Sequence, residues 1–116
     1  MLLASNLREW VGDEVRDASG VRVGQLQDVY FDAETDEPAF LLVKTGRLSG
    51  KLVFVPVDGV RPGRAYLQVN RPKAALDGAP FMPPSGELIQ EHEANIYGYY
   101  GLPYTPTTSG RRLVRR

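Results

Sequence analysis

Between Glu14 and Val69 the chain repeats one pattern: a short run of strand-forming residues, then a polar turn built on Gly, Pro or Asp. The repeat comes about every ten residues, the spacing of a small antiparallel barrel or sandwich rather than of helices or βαβ units. Glu14 to Arg16 reads as a short strand, and Asp17-Ala-Ser-Gly20 as the turn after it. Asp bonds its own downstream backbone there, and Gly takes positive φ without steric cost. Val21, Val23, Leu26, Val29 and Phe31 follow, with polar residues interleaved. The alternation breaks at Gly24-Gln25, and a bulge there restores a single inward face. Ala39 to Val43 is an unbroken apolar run, too short for a helix and typical of a strand buried on both sides.

Lys51 to Val57 reads as a fourth strand; Pro56 ends it or places it at an edge, because proline donates no ladder hydrogen bond. Arg61-Pro62-Gly63 turns the chain, Ala65 to Val69 is a fifth strand, and Arg71 to Leu76 holds one helical turn from Pro72 to Gly78. Leu7 to Val11 is a short helical lead with Trp10 as anchor. With so few strands, closing the sheet is the economical way to remove exposed edges. The expected fold is mainly β: a small, highly bent antiparallel β-barrel over residues 7–78, followed by a C-terminal α-helical arm. Its expected core is Val15, Val23, Leu26, Val29, Phe31, Phe40, Leu42, Val53, Val55, Leu67 and Val69.

The composition changes at Ala79. Pro80, Pro83, Pro84 and Gly86 mark residues 79–86 as a linker. Ser85 is placed to cap a helix, with Glu87 in its first turn. Leu88, Ile89, His92, Ile96 and Tyr99 or Tyr100 recur at helical spacing, so residues 87–104 read as a helix and a tyrosine-rich arm. Gly101 and Pro103 stop the helix, and residues 105–116 read as a mobile basic tail.

The 116 residues include no cysteine and one histidine, His92, which removes disulfides, thiolate metal sites, cysteine nucleophiles and multi-histidine sites. Nothing calls for a cofactor. No apolar run approaches the roughly 20 residues of a membrane-spanning helix, and Met1 to Leu7 lacks the form of a secretory signal. A cytoplasmic protein is expected. Fourteen basic residues balance fourteen acidic ones, but Arg111, Arg112, Arg115 and Arg116 fall in the last six positions. The first 110 residues therefore hold ten basic against fourteen acidic groups, a balance of −4. That sign argues against a nucleic-acid surface.

The run Asp17-Ala-Ser-Gly20, Val23-Gly-Gln-Leu26, Asp28-Val-Tyr-Phe-Asp32, Pro38-Ala-Phe-Leu-Leu-Val43 and Val53-Phe-Val-Pro-Val57 resembles the PRC-barrel domain in order and spacing, over roughly residues 7–77. The resemblance implies a small bent barrel that binds other proteins and has no common catalytic residue. The family includes the cytoplasmic domain of the photosynthetic reaction-centre H subunit, the C-terminal domain of a ribosome maturation factor, and stand-alone bacterial proteins. The membrane helix of the first and the extra barrel domain of the second are not seen here, so neither specific role carries over. Glu93 to Tyr104 resembles the tail of stand-alone members.

Four of the six tyrosines, Tyr97, Tyr99, Tyr100 and Tyr104, fall within eight positions. Large rings with a polar tip suit an interface, so these four and Leu102 are the candidate protein-interaction residues. The alternative is that the arm folds back and completes its own core. Asp28, Asp32, Glu34, Asp36 and Glu37 put five acids in ten residues. The first four are candidates for a weak divalent-cation site, although a calcium loop starting at Asp32 needs Gly and Glu where Glu37 and Val43 stand. A solvated acidic turn is the simpler reading. Gly46-Arg-Leu-Ser-Gly50-Lys51 is one residue short of a phosphate loop and reads as a hairpin connection. His92 has no nucleophile or orienting partner in the sequence and reads as a helix-face or packing residue.

These readings lead to a non-enzymatic interaction or scaffold module, expected to be a homodimer. The competing expectations are an accessory factor in RNA processing or ribosome assembly, and a weak cation- or small-ligand-binding protein.

Overall fold

The computed structural model describes residues 7–46, 50–83, 85–108 and 110–115. The connection at 47–49, Pro84 of the expected linker, the opening residues 1–6, and Ser109 and Arg116 of the tail lie outside the described residues.

Among the described residues seven strands form one sheet: β1 (Glu14–Arg16), β2 (Arg22–Asp32), β3 (Pro38–Thr45), β4 (Lys51–Pro56), β5 (Arg61–Pro62), β6 (Tyr66–Gln68) and β7 (Leu113–Arg115). A 3-10 turn at Arg8–Trp10 precedes them. Two helices, α1 (Lys73–Asp77) and α2 (Gln90–Tyr99), lie between β6 and β7. The sheet runs β4-β3-β2-β1-β6-β5, with β7 added to β2. The mainly β fold and its bent sheet match the sequence reading. Two details differ from a closed antiparallel barrel. The path does not return from β5 to β4, and β1 pairs with β6 in parallel, Val15 opposite Leu67.

The bend comes from bulges in β2. Val15 faces Gly24 and Arg16 faces Arg22, which leaves Val23 as an extra residue against β1, at the break in the sequence alternation. A second irregularity against β3 lies between Leu26 and Asp28. Val23, Leu26, Val29 and Phe31 thereby all reach one core, despite their uneven spacing. A side chain at Gly24 would put its Cβ 2.0 Å from the Lys44 carbonyl oxygen, so glycine permits the close approach of β2 to β3.

The strong apolar strands supply two cores. Leu41 and Val43 of β3 face the inside of the bend with Val15, Val53, Val55, Leu67 and Val69. Phe40 and Leu42 face the other way and pack with Tyr30, Phe54, Leu88, Ile96, Tyr97 and Leu113. All eleven core residues named from the sequence are buried. Leu41, Val43 and Phe54 join them, because β3 and β4 are covered on both faces.

The C-terminal third departs most from expectation. Residues 79–83 run along the free edge of β4: Phe54 N donates to the Pro80 carbonyl at 3.2 Å, and Met82 N donates to the Leu52 carbonyl at 2.7 Å. The segment read as a linker thus covers an exposed edge. Ser85 does not cap the helix; its hydroxyl accepts Glu87 N–H at 3.3 Å in a preceding turn, and α2 starts at Gln90. The tail read as mobile forms β7, where Leu113 is buried opposite Asp32. Its neighbours in sequence are polar, and three residues are too few to show a strand period.

Candidate interaction surface

The inward face of α2 is built around an acid. Glu93, Ile96 and Tyr97 are buried, and Glu93 is 0% exposed. Tyr104 donates its hydroxyl to Glu93 Oε1 at 2.7 Å. The backbone N–H groups of Arg112 and Leu113 both donate to Oε2, each at 2.8 Å. A buried carboxylate is tolerated where N–H and O–H donors saturate it. Here those donors belong to the segment after the helix, so Glu93 fastens that segment to the arm. Sequence reasoning missed Glu93 because hydropathy places a glutamate on the solvent face. The helical face moves by one position accordingly: Ile89 is exposed and Glu93 lies inside.

The tyrosines engage the chain's own barrel. Tyr100 donates its hydroxyl to the Phe54 carbonyl, and Tyr99 donates to the Ala75 carbonyl of α1. Tyr97 stands edge-on to Phe40 at 5.1 Å and tilts against Tyr104 at 5.0 Å. Leu102 packs in the same second core. Burial pushes the Tyr97 phenol up to about 12. Burial and the bond to Glu93 push Tyr104 up to about 12, and burial raises Tyr100. Of the five candidate interaction residues, Tyr99 alone is an exposed large side chain. The others complete the fold, so the arm as drawn does not present a free tyrosine surface.

The acidic turn meets the basic tail. Arg112 Nε lies 3.3 Å from Asp32 Oδ2, and its Nη1 lies 2.6 Å from Glu34 Oε1. Arg115 Nη1 lies 3.5 Å from Asp28 Oδ2. Asp32 Oδ1 also accepts the N–H groups of Glu34 and Thr35, which shapes the turn, and Asp36 takes a φ of 61° beside them. Among the described residues no three His, Asp or Glu side chains are grouped to hold a metal ion. The structure places three of the four candidate cation residues in an ion-pair seam: Asp28, Asp32 and Glu34 lie against arginines some eighty residues away in sequence.

A second carboxylate binds backbone in the same manner. Asp17 is 4% exposed, and its oxygens accept the N–H groups of Ser19, Val21 and Lys73 at 2.8–2.9 Å. Burial alone would raise its pKa, but these N–H donors outweigh that and hold it below the ordinary carboxylate value. His92 is half-buried on α2 and lines a small cavity with Pro80, Phe81, Asn95 and Ile96. Its Nδ1 is the one buried side-chain polar atom among the described residues without a hydrogen-bond partner.

Two features remain open. Val11, Val21, Phe81 and Ile89 are apolar and 47–54% exposed. A cleft of about 460 Å³ has Val23, Val53 and Leu76 on its floor and Arg22, Lys51, Lys73 and Asp77 around it. Among the described residues no helix is long and apolar enough to cross a membrane.

A sequence profile of the PRC-barrel domain matches residues 4–76, which spans every strand but β7. No curated protein matches the chain. The bulged, mainly antiparallel sheet and the extent of the matched region agree: the chain belongs to the PRC-barrel domain family.

Proposed function

We propose that the protein is a self-associating, non-enzymatic interaction module that works in the cytoplasm. The observation that carries this reading is the division of labour among its side chains. His92 apart, the polar groups singled out above are committed to architecture: Glu93 and Asp17 saturate backbone N–H groups, the hydroxyls of Tyr99, Tyr100 and Tyr104 bind carbonyls or Glu93, and Asp28, Asp32 and Glu34 pair with arginines. Among the exposed side chains are four large apolar ones, Phe81, Ile89, Val21 and Val11. Phe81, a large ring 54% exposed on the segment that bridges to β4, offers an aromatic anchor of the kind enriched at protein interfaces. Sedimentation velocity over a wide concentration range tests the reading. A dimer whose share grows with concentration is expected; a strictly monomeric species at the highest concentration would overturn it.

The cleft between Arg22, Lys51 and Lys73 supports a second reading, binding of a small anion with an apolar part. Its size is that of a ligand pocket, and such sites favour barrel mouths. Calorimetric titration with octyl phosphate tests it: saturable heat that is lost in Lys51→Ala with Lys73→Ala supports it, and no heat at millimolar ligand rejects it. The nucleic-acid reading is weakened by the pairing of Arg112 and Arg115 with acids of the same chain.

A further inference from the structure

β7 is joined to the sheet differently from the other strands. It completes the edge of β2 beyond the reach of β1: β1 pairs with residues 22–25, and β7 pairs with Tyr30, Phe31 and Asp32. Its anchors belong to the barrel and to α2. Leu113 enters the second core, Arg112 meets Asp32 and Glu34, Arg115 meets Asp28, and Glu93 accepts the backbone of Arg112 and Leu113. Together these form a groove that holds the chain's own Arg-Leu-Val-Arg segment by ladder bonds, one apolar pocket and four acids. The segment returns to the groove through a turn in which Gly110 N donates to the Thr107 carbonyl at 3.1 Å and Thr107 Oγ1 donates to the Arg111 carbonyl at 3.0 Å. Gly110 holds that turn with a φ of 87°.

We propose that this strand exchanges between copies: in the dimer, residues 111–115 of one chain fill the β2–α2 groove of a second. The proposal rests on the self-association reading and names its route. Exchange reproduces every contact of the groove, so its energetic cost falls on the turn and on association itself. Opened out, residues 105–110 span about 20 Å, which carries the strand to an adjacent copy. Pro106 favours extended backbone for itself and for Thr105. The acids and arginines are complementary within one sequence, so two copies satisfy each other through a two-fold interface, each giving and receiving one strand.

The test reverses charge on one partner at a time in the full chain. One variant carries Arg112→Glu and Arg115→Glu; the other carries Asp28→Lys, Asp32→Asn and Glu34→Lys, the asparagine keeping the oxygen that accepts the turn's N–H groups. Each is mismatched with its own groove, and the mixture is matched only across copies. Native mass spectrometry of the mixture should show the heterodimer about tenfold over either homodimer. Statistical proportions, or no dimer in a mixture when the wild type dimerises, would overturn exchange and leave self-association standing. A monomeric wild type would overturn both.

Discussion

Glu93 Oε2 accepts the backbone N–H of Leu113 at 2.8 Å across twenty residues of chain, and both residues are buried. The bond makes α2, the tyrosines and β7 one layer over the outer face of β3 and β4. Replacing Glu93 by Ala leaves the N–H groups of Arg112 and Leu113 and the Tyr104 hydroxyl without their acceptor. The expected loss is about 3 kcal/mol or more, read as a lower urea midpoint. Glu93→Gln keeps one acceptor oxygen and is expected to lose about half as much. Equal midpoints for wild type and Glu93→Ala would show that the clamp does not form.

The hydroxyls of Tyr99 and Tyr100 separate a rim contact from a core contact. Tyr100→Phe removes a donor to the buried Phe54 carbonyl and is expected to cost about 1–2 kcal/mol. Tyr99 is exposed, and Tyr99→Phe is expected to change stability by less than about 0.5 kcal/mol. Chemical denaturation of both variants checks the order, and a reversed order contradicts the packing.

Alkali should release the arm. Burial holds the Tyr97 and Tyr104 phenols neutral up to about 12, above their ordinary value of 10.0. A phenol raised on folding stabilises the folded state below its unfolded pKa, and that stability is lost as pH rises through the folded pKa. Stability is therefore expected to fall between pH 10 and about 12. Phenolate absorbance should rise together with loss of near-ultraviolet circular dichroism. Titration of all six tyrosines near pH 10 with the fold intact would contradict the burial.

Two glycines in different settings should respond with opposite sign. Gly24→Ala forces a Cβ into the Lys44 carbonyl and is expected to destabilise by about 1–3 kcal/mol. Gly98 lies in α2 with open space around its Cβ position, and Gly98→Ala is expected to stabilise by up to about 1 kcal/mol. Thermal unfolding of the two variants measures both, and a stabilising Gly24→Ala would contradict the close approach of β2 and β3.

The barrel was legible because its signals are local. Val23 and Leu26 out of phase announced a bulge, Pro56 announced the end of β4 at an edge, and the apolar run 39–43 announced burial on both faces. The arm was legible only as a helix with aromatic residues. Its true face turns on Glu93, whose burial depends on N–H groups nearly twenty residues away, and no local pattern encodes that. The tail misled for the same reason. Its arginines look solvated until the turn that carries Asp32 and Glu34 is brought beside them. Open closure and the parallel β1–β6 pair also follow from long-range pairing, which strand spacing leaves undetermined.

Native-state hydrogen exchange at the amides of Arg112 and Leu113 tests most directly whether residues 85–115 are an integral layer of this domain. Protection comparable to that of Val55 in β4 is expected for both amides, because a buried carboxylate holds them. Exchange at the rate of an unstructured peptide, with Val55 still protected, would contradict the account.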